Sequence, residues 1–230
     1  MKEIKCLPTG PFQVNTWIIK LTEKSVLVVD PAACEFTSDE HKISGFLEMN
    51  NLEPAAFVLT HGHFDHIAGT GILKKLYPQV PLLVHEADFA MCGKNAGTAQ
   101  SHALAYFGLS EFESNFLENL PDADIIIKNQ ETLAHAIHAE NEEVKAALSD
   151  WKIIHTPGHT EGSICLYNST KKMLIAGDTV FYHSYGRTDL PGGSESKIVS
   201  SLKKLYGELP PETLVFSGHG ESGFPLAENL

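Results

Sequence analysis

The 230-residue sequence has no run of 18 apolar residues, so no segment reads as a membrane-spanning helix. Basic residues are scarce: 17 Lys and Arg stand against 29 Asp and Glu, a formal net charge of −12. The dense lysine pairs are Lys74-Lys75, Lys171-Lys172 and Lys203-Lys204, each inside or beside a helix or turn pattern. A phosphate-binding surface needs a basic stripe, so no nucleic-acid partner is expected. Cysteine is limited to Cys6, Cys34, Cys92 and Cys165, far apart and never as a Cys-x-x-Cys pair. That spacing argues against a disulfide framework or a thiolate metal site, and for free thiols in a reducing cytoplasm. The N-terminal MKEIKCLPTGPF lacks an apolar h-region and a small-residue cleavage site, so no secretory signal is read there. No Gly-x-Ser-x-Gly segment occurs, which removes one route to a nucleophilic serine.

What remains is an ordinary globular composition, 43% apolar and 20% charged, with a mean hydropathy of −0.09. At this length roughly three quarters of the unfolded surface can be buried, so residues 1–230 read as a single domain. Short apolar runs dominate. Residues 17–19 and 26–29 read as strands joined by a polar turn, and Pro31 stops the second. Further strands are expected at 56–60, 81–85, 125–127, 151–155, 163–167, 173–176 and 213–216. Helical spacing marks 38–52, with Ser38 or Asp39 as N-cap, then 72–77 and 196–206. Residues 138–149 read as an acidic helical surface excursion, and 87–120 as a lid or a helical insert. Strands in groups, separated by a few helices, point to a layered α+β domain.

Histidine is in surplus, with 12 in the chain. Strand 56–60 runs into His61-Gly62-His63-Phe64-Asp65-His66, and strand 151–155 into Thr156-Pro157-Gly158-His159. Strand 173–176 runs into Gly177-Asp178, and strand 213–216 into Ser217-Gly218-His219. Each donor follows an apolar run and a small-residue turn, where glycine permits close approach. If the strand ends lie side by side, five imidazoles and two carboxylates converge at one rim. These donors suit zinc first, with iron and manganese also admitted, and the missing thiolates disfavour a purely structural zinc site. Seven ligands exceed one tetrahedral ion, whereas two divalent cations sharing a carboxylate use them economically. With Asp65, Asp178 and a bridging hydroxide, such a cluster keeps only a small positive charge. His41, His85, His102, His135, His138, His155 and His183 lack this setting and read as surface or packed residues.

On these residues the sequence resembles the metallo-β-lactamase-fold hydrolases, and within them the short bacterial form of the glyoxalase II-like (hydroxyacylglutathione hydrolase-like) branch. The resemblance runs from GPFQVNT at 10–16 through THGHFDHIAG, TPGHTEGS and AGDTVFYHSYGRTDLPGGS to SGHGES. It implies a four-layer αββα sandwich with a metal site at one sheet edge. His61, His63 and His159 would then hold a first metal, Asp65, His66 and His219 a second, and Asp178 would bridge them. It further implies metal-dependent hydrolysis of a thioester such as S-lactoylglutathione. The attacking group would be a metal-held hydroxide from a water whose pKa falls to roughly 7, with Asp65 orienting it. Arg187 is a candidate for binding a substrate carboxylate through its planar fork, the alternative being an ion pair with Asp189. Tyr182 and Tyr185 are candidate substrate contacts, the alternative being that they pack within the fold.

β-Lactamases of this fold commonly place Cys, or no bridging acid, where Asp178 stands, so that activity is not expected. The GRTD segment at 186–189 also resembles the persulfide dioxygenases, which leaves a mononuclear-iron oxidoreductase as an alternative. A non-catalytic metal-binding protein is the third reading. The expected partner is a small-molecule substrate in the cytoplasm, with no nucleic acid and no membrane, and the oligomeric state is open.

Overall fold

A computed structural model describes residues 3–128 and 131–229. Its first half is a six-stranded sheet in which spatial order follows chain order. Strands β1 (Ile4–Thr9), β2 (Val14–Lys20) and β3 (Ser25–Val29) form an antiparallel meander. Helix α1 (Lys42–Met49) then leads to β4 (Glu53–Val58), and α2 (Phe64–Ile67) and α3 (Thr70–Leu76) lead to β5 (Leu82–His85). Helices α4 (Gly97–Tyr106) and α5 (Ser110–Asn119) lead to β6 (Ile125–Ile127). Strands β3 to β6 pair in parallel. Helices α6 (Leu133–Ala136) and α7 (Glu142–Ser149) precede the second sheet. That sheet contains β7 (Trp151–His155), β8 (Ile164–Asn168), β9 (Met173–Gly177), β10 (Leu214–Ser217) and β11 (Phe224–Pro225), in the order β11-β10-β9-β8-β7. Helix α8 (Glu195–Glu208) joins β9 to β10, which pair in parallel.

The strands read as continuous apolar runs because both of their faces are covered. Side chains alternate along each strand. Ile18, Val26, Val28, Phe57, Leu82 and Val84 pack with Ile43, Leu47, Leu73, Leu104 and Phe112 from the helices. Their neighbours Trp17, Ile19, Leu27, Val29, Val58 and Leu83 pack instead against Ile164, Leu166, Ile175 and Phe216 of the second sheet. On the far side Cys165, Tyr167, Leu174 and Val215 pack with Leu205 and Leu209 at the end of α8. The layers are therefore helix, sheet, sheet, helix, the αββα sandwich anticipated from the sequence.

Several elements depart from the sequence reading. Strand β1 was not foreseen: it is an edge strand, only partly buried, and its Pro8 sits where a ladder donor is dispensable. Segment 87–120 is a helical insert; Ala103, Leu104, Phe112 and Phe116 are buried in the helix-side core. The first helix starts at Lys42, later than read, and neither Ser38 nor Asp39 is its N-cap. The Asp39 carboxylate instead accepts the Gly10 and Cys34 backbone N–H groups, each at 2.9 Å, so it fastens two loops.

Residues 138–149 are more than a surface excursion. Asn141 caps α7 by accepting the N–H groups of Glu143 and Val144 at 2.8 and 3.2 Å. The acidic face is outward, but Val144 and Leu148 join Leu133, Ile137 and Trp151 in the inter-sheet core. Leu148→Ala should therefore cost about 2–5 kcal/mol in urea unfolding. A loss below about 0.5 kcal/mol would return the segment to the surface class.

Candidate metal centre

Strands β4, β7, β9 and β10 each deliver donors from the loop that follows them. After β4 the chain turns through Thr60 to His61; His63 is the residue preceding α2, and α2 itself carries Asp65 and His66. His159 follows β7, Asp178 follows β9 and His219 follows β10. At Gly218 a side chain has no room, because a Cβ would collide with Asp178 Oδ1 and the His66 ring. All seven residues singled out as donors meet here. The donor atoms of His61, His63 and His159 lie within 4.8 Å of one another, as do those of Asp65, His66 and His219. Asp178 lies between the two trios: Oδ1 is 3.4 Å from His66 Nε2, and Oδ2 is 3.4 Å from His159 Nε2.

The outer nitrogens fix the tautomers. His66 Nδ1 is 2.9 Å from Asp30 Oδ2, His159 Nδ1 is 2.8 Å from the Arg187 carbonyl, and His219 Nδ1 is 3.2 Å from the Phe12 carbonyl. The Thr60 hydroxyl donates to Asp30 at 2.7 Å, so it accepts from His61 Nδ1 at 3.1 Å. Each of these acceptors calls for a proton on Nδ1, so in the neutral, metal-ready form four Nε2 lone pairs face inward. His66 Nε2 and His219 Nε2 are 3.1 Å apart, and His63 Nδ1 is 2.8 Å from His159 Nε2. His61 Nε2 and Asp178 Oδ1 are buried with no hydrogen-bond partner. Lone pairs facing one another in a buried site are costly unless a cation sits among them. The residues present thus fit divalent metal binding, and the N/O donor set admits zinc, iron and manganese.

Two carboxylates outside the donor set organise it, and neither was singled out from the sequence. Asp30, fully buried at the end of β3 with φ of 50°, accepts the Thr60 N–H and O–H at 2.7 Å each and faces His66 Nδ1. It is also close enough to His61 and His66 to be grouped with them, but its oxygens are already taken. Its signal was available: Asp30 follows an apolar run, as the donors do. Asp88 had no such signal. Its carboxylate accepts Gly62 N–H at 2.9 Å, Thr160 O–H at 2.6 Å and Gly162 N–H at 2.7 Å. It therefore ties the loop of His61 and His63 to the loop of His159. Asp88→Ala should lower metal affinity about 10–100-fold, read by competition with a chromogenic chelator. Unchanged affinity would reduce Asp88 to a local loop bond.

The metal-free protein should also be acid-sensitive in a defined window. Burial, reinforced by neighbouring imidazoles, holds His61 well below its usual pKa of 6.5 and pushes His63 down to about 3. Burial and the stacked ring of His155 push His85 down to about 4. Burial alone would also depress His66, but Asp178, Asp65 and Asp30 outweigh it and raise the pKa. Depressed histidines stabilise the fold above 6.5 and lose that contribution as pH falls. The raised His66 acts oppositely, its contribution being complete below 6.5 and lost above it. Thermal melts in chelator should therefore show stability falling from pH 6.5 towards 4. A flat profile there would contradict the burial of neutral imidazoles.

Beside the donors lies a cleft of about 450 Å³, walled by Phe12, Phe64, Phe107, Phe181 and Leu190, with Tyr185 and Arg187 at its edge. Arg187 reaches the cleft, but its fork is occupied: Nε and Nη2 donate to the two Asp189 oxygens at 2.7 Å each. The ion-pair alternative is what the structure shows, in place of a guanidinium free for a substrate carboxylate. Tyr182 is corrected as a substrate contact: it packs on Phe224 at 5.1 Å between ring centroids and does not line the cleft.

A family model for the metallo-beta-lactamase superfamily matches residues 9–219. The chain is 33% identical to an uncharacterized protein of Aquifex aeolicus, covering 94% of this chain and 89% of that one. It is 26% identical to the hydroxyacylglutathione hydrolase GloC of Haemophilus influenzae, covering 94% and 90%. Among solved structures it is similar to the BLEG-1 B3 metallo-beta-lactamase, with TM-score 0.78, 26% identity and coverage of 98% and 95%. It is also similar to TTHA1623 in a di-iron-bound form, with TM-score 0.73, 26% identity and coverage of 97% and 96%.

Proposed function

Because the chain belongs to the metallo-beta-lactamase superfamily, we propose that it is a metal-dependent hydrolase whose substrates are small acyl thioesters. One observation carries the two-metal reading: the buried Asp178 carboxylate lies between the trios, with Oδ1 facing His66 and Oδ2 facing both His159 and His219. His61, His63 and His159 would hold one ion, Asp65, His66 and His219 the other, and Asp178 both. Zinc is preferred, and the similarity to a di-iron protein keeps iron in play. When bound, the ions supply a Lewis acid and a water acidified to a pKa of roughly 7.

The chain's own residues do the rest. Asp65 Oδ2, 3.3 Å from His219 Nε2, is placed to accept a hydrogen bond from the attacking water and orient it. The aromatic wall excludes bulk solvent from the acyl group. A thiolate leaves readily, so no separate acid is needed to protonate it. No side-chain nucleophile competes: burial pushes the Cys92 thiol up to about 12 and Cys165 up to about 11. None of the four cysteines lines the cleft. Free thiols of this kind suit a reducing cytoplasm, and among the described residues no helix is long and apolar enough to cross a membrane. Similarity to a hydroxyacylglutathione hydrolase supports the thioesterase reading.

The decisive experiment is elemental analysis of the purified chain followed by thiol release from a thioester panel. Two metal equivalents with turnover are expected. Oxygen uptake with glutathione persulfide and no thiol release would mean a persulfide dioxygenase; nitrocefin hydrolysis alone would mean a lactamase. Tight metal with no turnover of any kind would mean a binding protein.

A further inference from the structure

Resting on the thioesterase reading, we propose that the substrate is an uncharged thioester with an apolar acyl group, and that glutathione is not its carrier. The cleft wall is built for apolar matter. Phe12 meets Phe64 and Phe107 edge-on, with ring centroids 5.6 and 5.0 Å apart, and Phe64 lies 5.9 Å from Phe107. Phe181, Leu190 and Ala103 add to the apolar lining. Three rings in mutual contact offer a surface that an alkyl or aryl group fills and a hydrated carboxylate does not.

The charges point the same way. Apart from the donor imidazoles, Arg187 is the one cation lining the cleft among the described residues, and its Nε and Nη2 are committed. Besides both Asp189 oxygens it donates to the Tyr106 hydroxyl at 3.0 Å, and its guanidinium lies 5.1 Å from the Tyr106 ring centre and 5.4 Å from that of Phe107. A substrate carboxylate would be left with Nη1, on a guanidinium whose charge Asp189 already offsets. Of the hydroxyls lining the cleft, Tyr185 donates to Glu195 at 2.7 Å, and Ser184 lies 3.5 Å from the Tyr185 carbonyl. Behind the lining, Asp189 holds Arg187 and Glu195 holds Tyr185, on a chain of net charge −12. Away from the metal ions themselves, such a field disfavours anionic ligands. Glutathione carries two carboxylates, and beyond the metal donors the described lining offers them one guanidinium already paired with Asp189.

The metal-loaded protein is assayed on three thioesters by thiol release: S-lactoylglutathione, S-phenylacetyl-N-acetylcysteamine and S-succinyl-N-acetylcysteamine. The phenylacetyl ester should show kcat/KM at least about tenfold above either anionic ester, the ratio corresponding to one charge poorly accommodated. Equal or better kcat/KM for either anionic ester would overturn the proposal. Asp189→Ala frees the guanidinium, so it should raise the succinyl-to-phenylacetyl ratio severalfold; an unchanged ratio would show that Asp189 does not set specificity. Failure of all three esters would sink the thioesterase reading instead. The cleft's preference is then read by calorimetry of the metal-loaded protein with glutathione and with 2-phenylethanethiol, two thiols whose sulfur contributes alike. Tighter phenylethanethiol supports an apolar cleft, and tighter glutathione overturns it.

Discussion

Asp178→Ala should hold one metal equivalent or fewer and lose at least on the order of 10²-fold in turnover. The carboxylate is 8% exposed, and its Oδ1 has no hydrogen-bond partner. Burial alone would raise its pKa, but His66, His159 and His219 outweigh burial and hold it well below the usual carboxylate range. It is thus an anion at any working pH, placed between two clusters of inward lone pairs. Without it, two divalent cations would repel across a low-dielectric site with no anion between them. Asp178→Asn keeps the shape and removes the charge, so it separates electrostatics from packing: it should also load poorly. Two equivalents by elemental analysis after gel filtration, with full turnover, would refute the bridging role.

Asp30→Ala should be the most damaging change to the fold near the site, at about 3–5 kcal/mol. It strips the acceptor from three buried donors, namely the Thr60 N–H, the Thr60 hydroxyl and His66 Nδ1. Each orphaned group costs about 1–3 kcal/mol, and the costs do not add fully because they share one pocket. The left-handed backbone at Asp30 adds to the penalty, since alanine tolerates a φ of 50° less well than aspartate. Metal affinity should fall as well, because His66 loses the bond that turns its Nε2 inward. Urea unfolding with and without chelator measures both effects. A change below about 1 kcal/mol in both conditions would mean that Asp30 only fills space.

Local pattern carried much of this fold. Short continuous apolar runs within β2 to β5 and β8 to β10 assign strands whether or not the partner sheet is known, because a strand buried on both faces is apolar throughout. It failed for β1, whose half-exposed edge leaves little apolar signal, and it missed that α7 seals the inter-sheet core, because its acidic face dominates the composition. At the centre the donors were legible because each sits directly after an apolar run beside small residues. Arg187 was legible only as a pair of readings, and the geometry of a two-residue ion pair chose between them.

The sequence by itself determined the chemistry available: five imidazoles and two carboxylates at strand ends, no thiolates among them, and a strongly negative chain. Only the tertiary structure decided which lone pairs face inward, and that Asp30 and Asp88 set them. Those choices rest on hydrogen bonds between residues 26 to 74 positions apart. A local periodicity records which face of an element is buried. It holds no record of which distant loop supplies the acceptor, because that is fixed only when the two sheets pack.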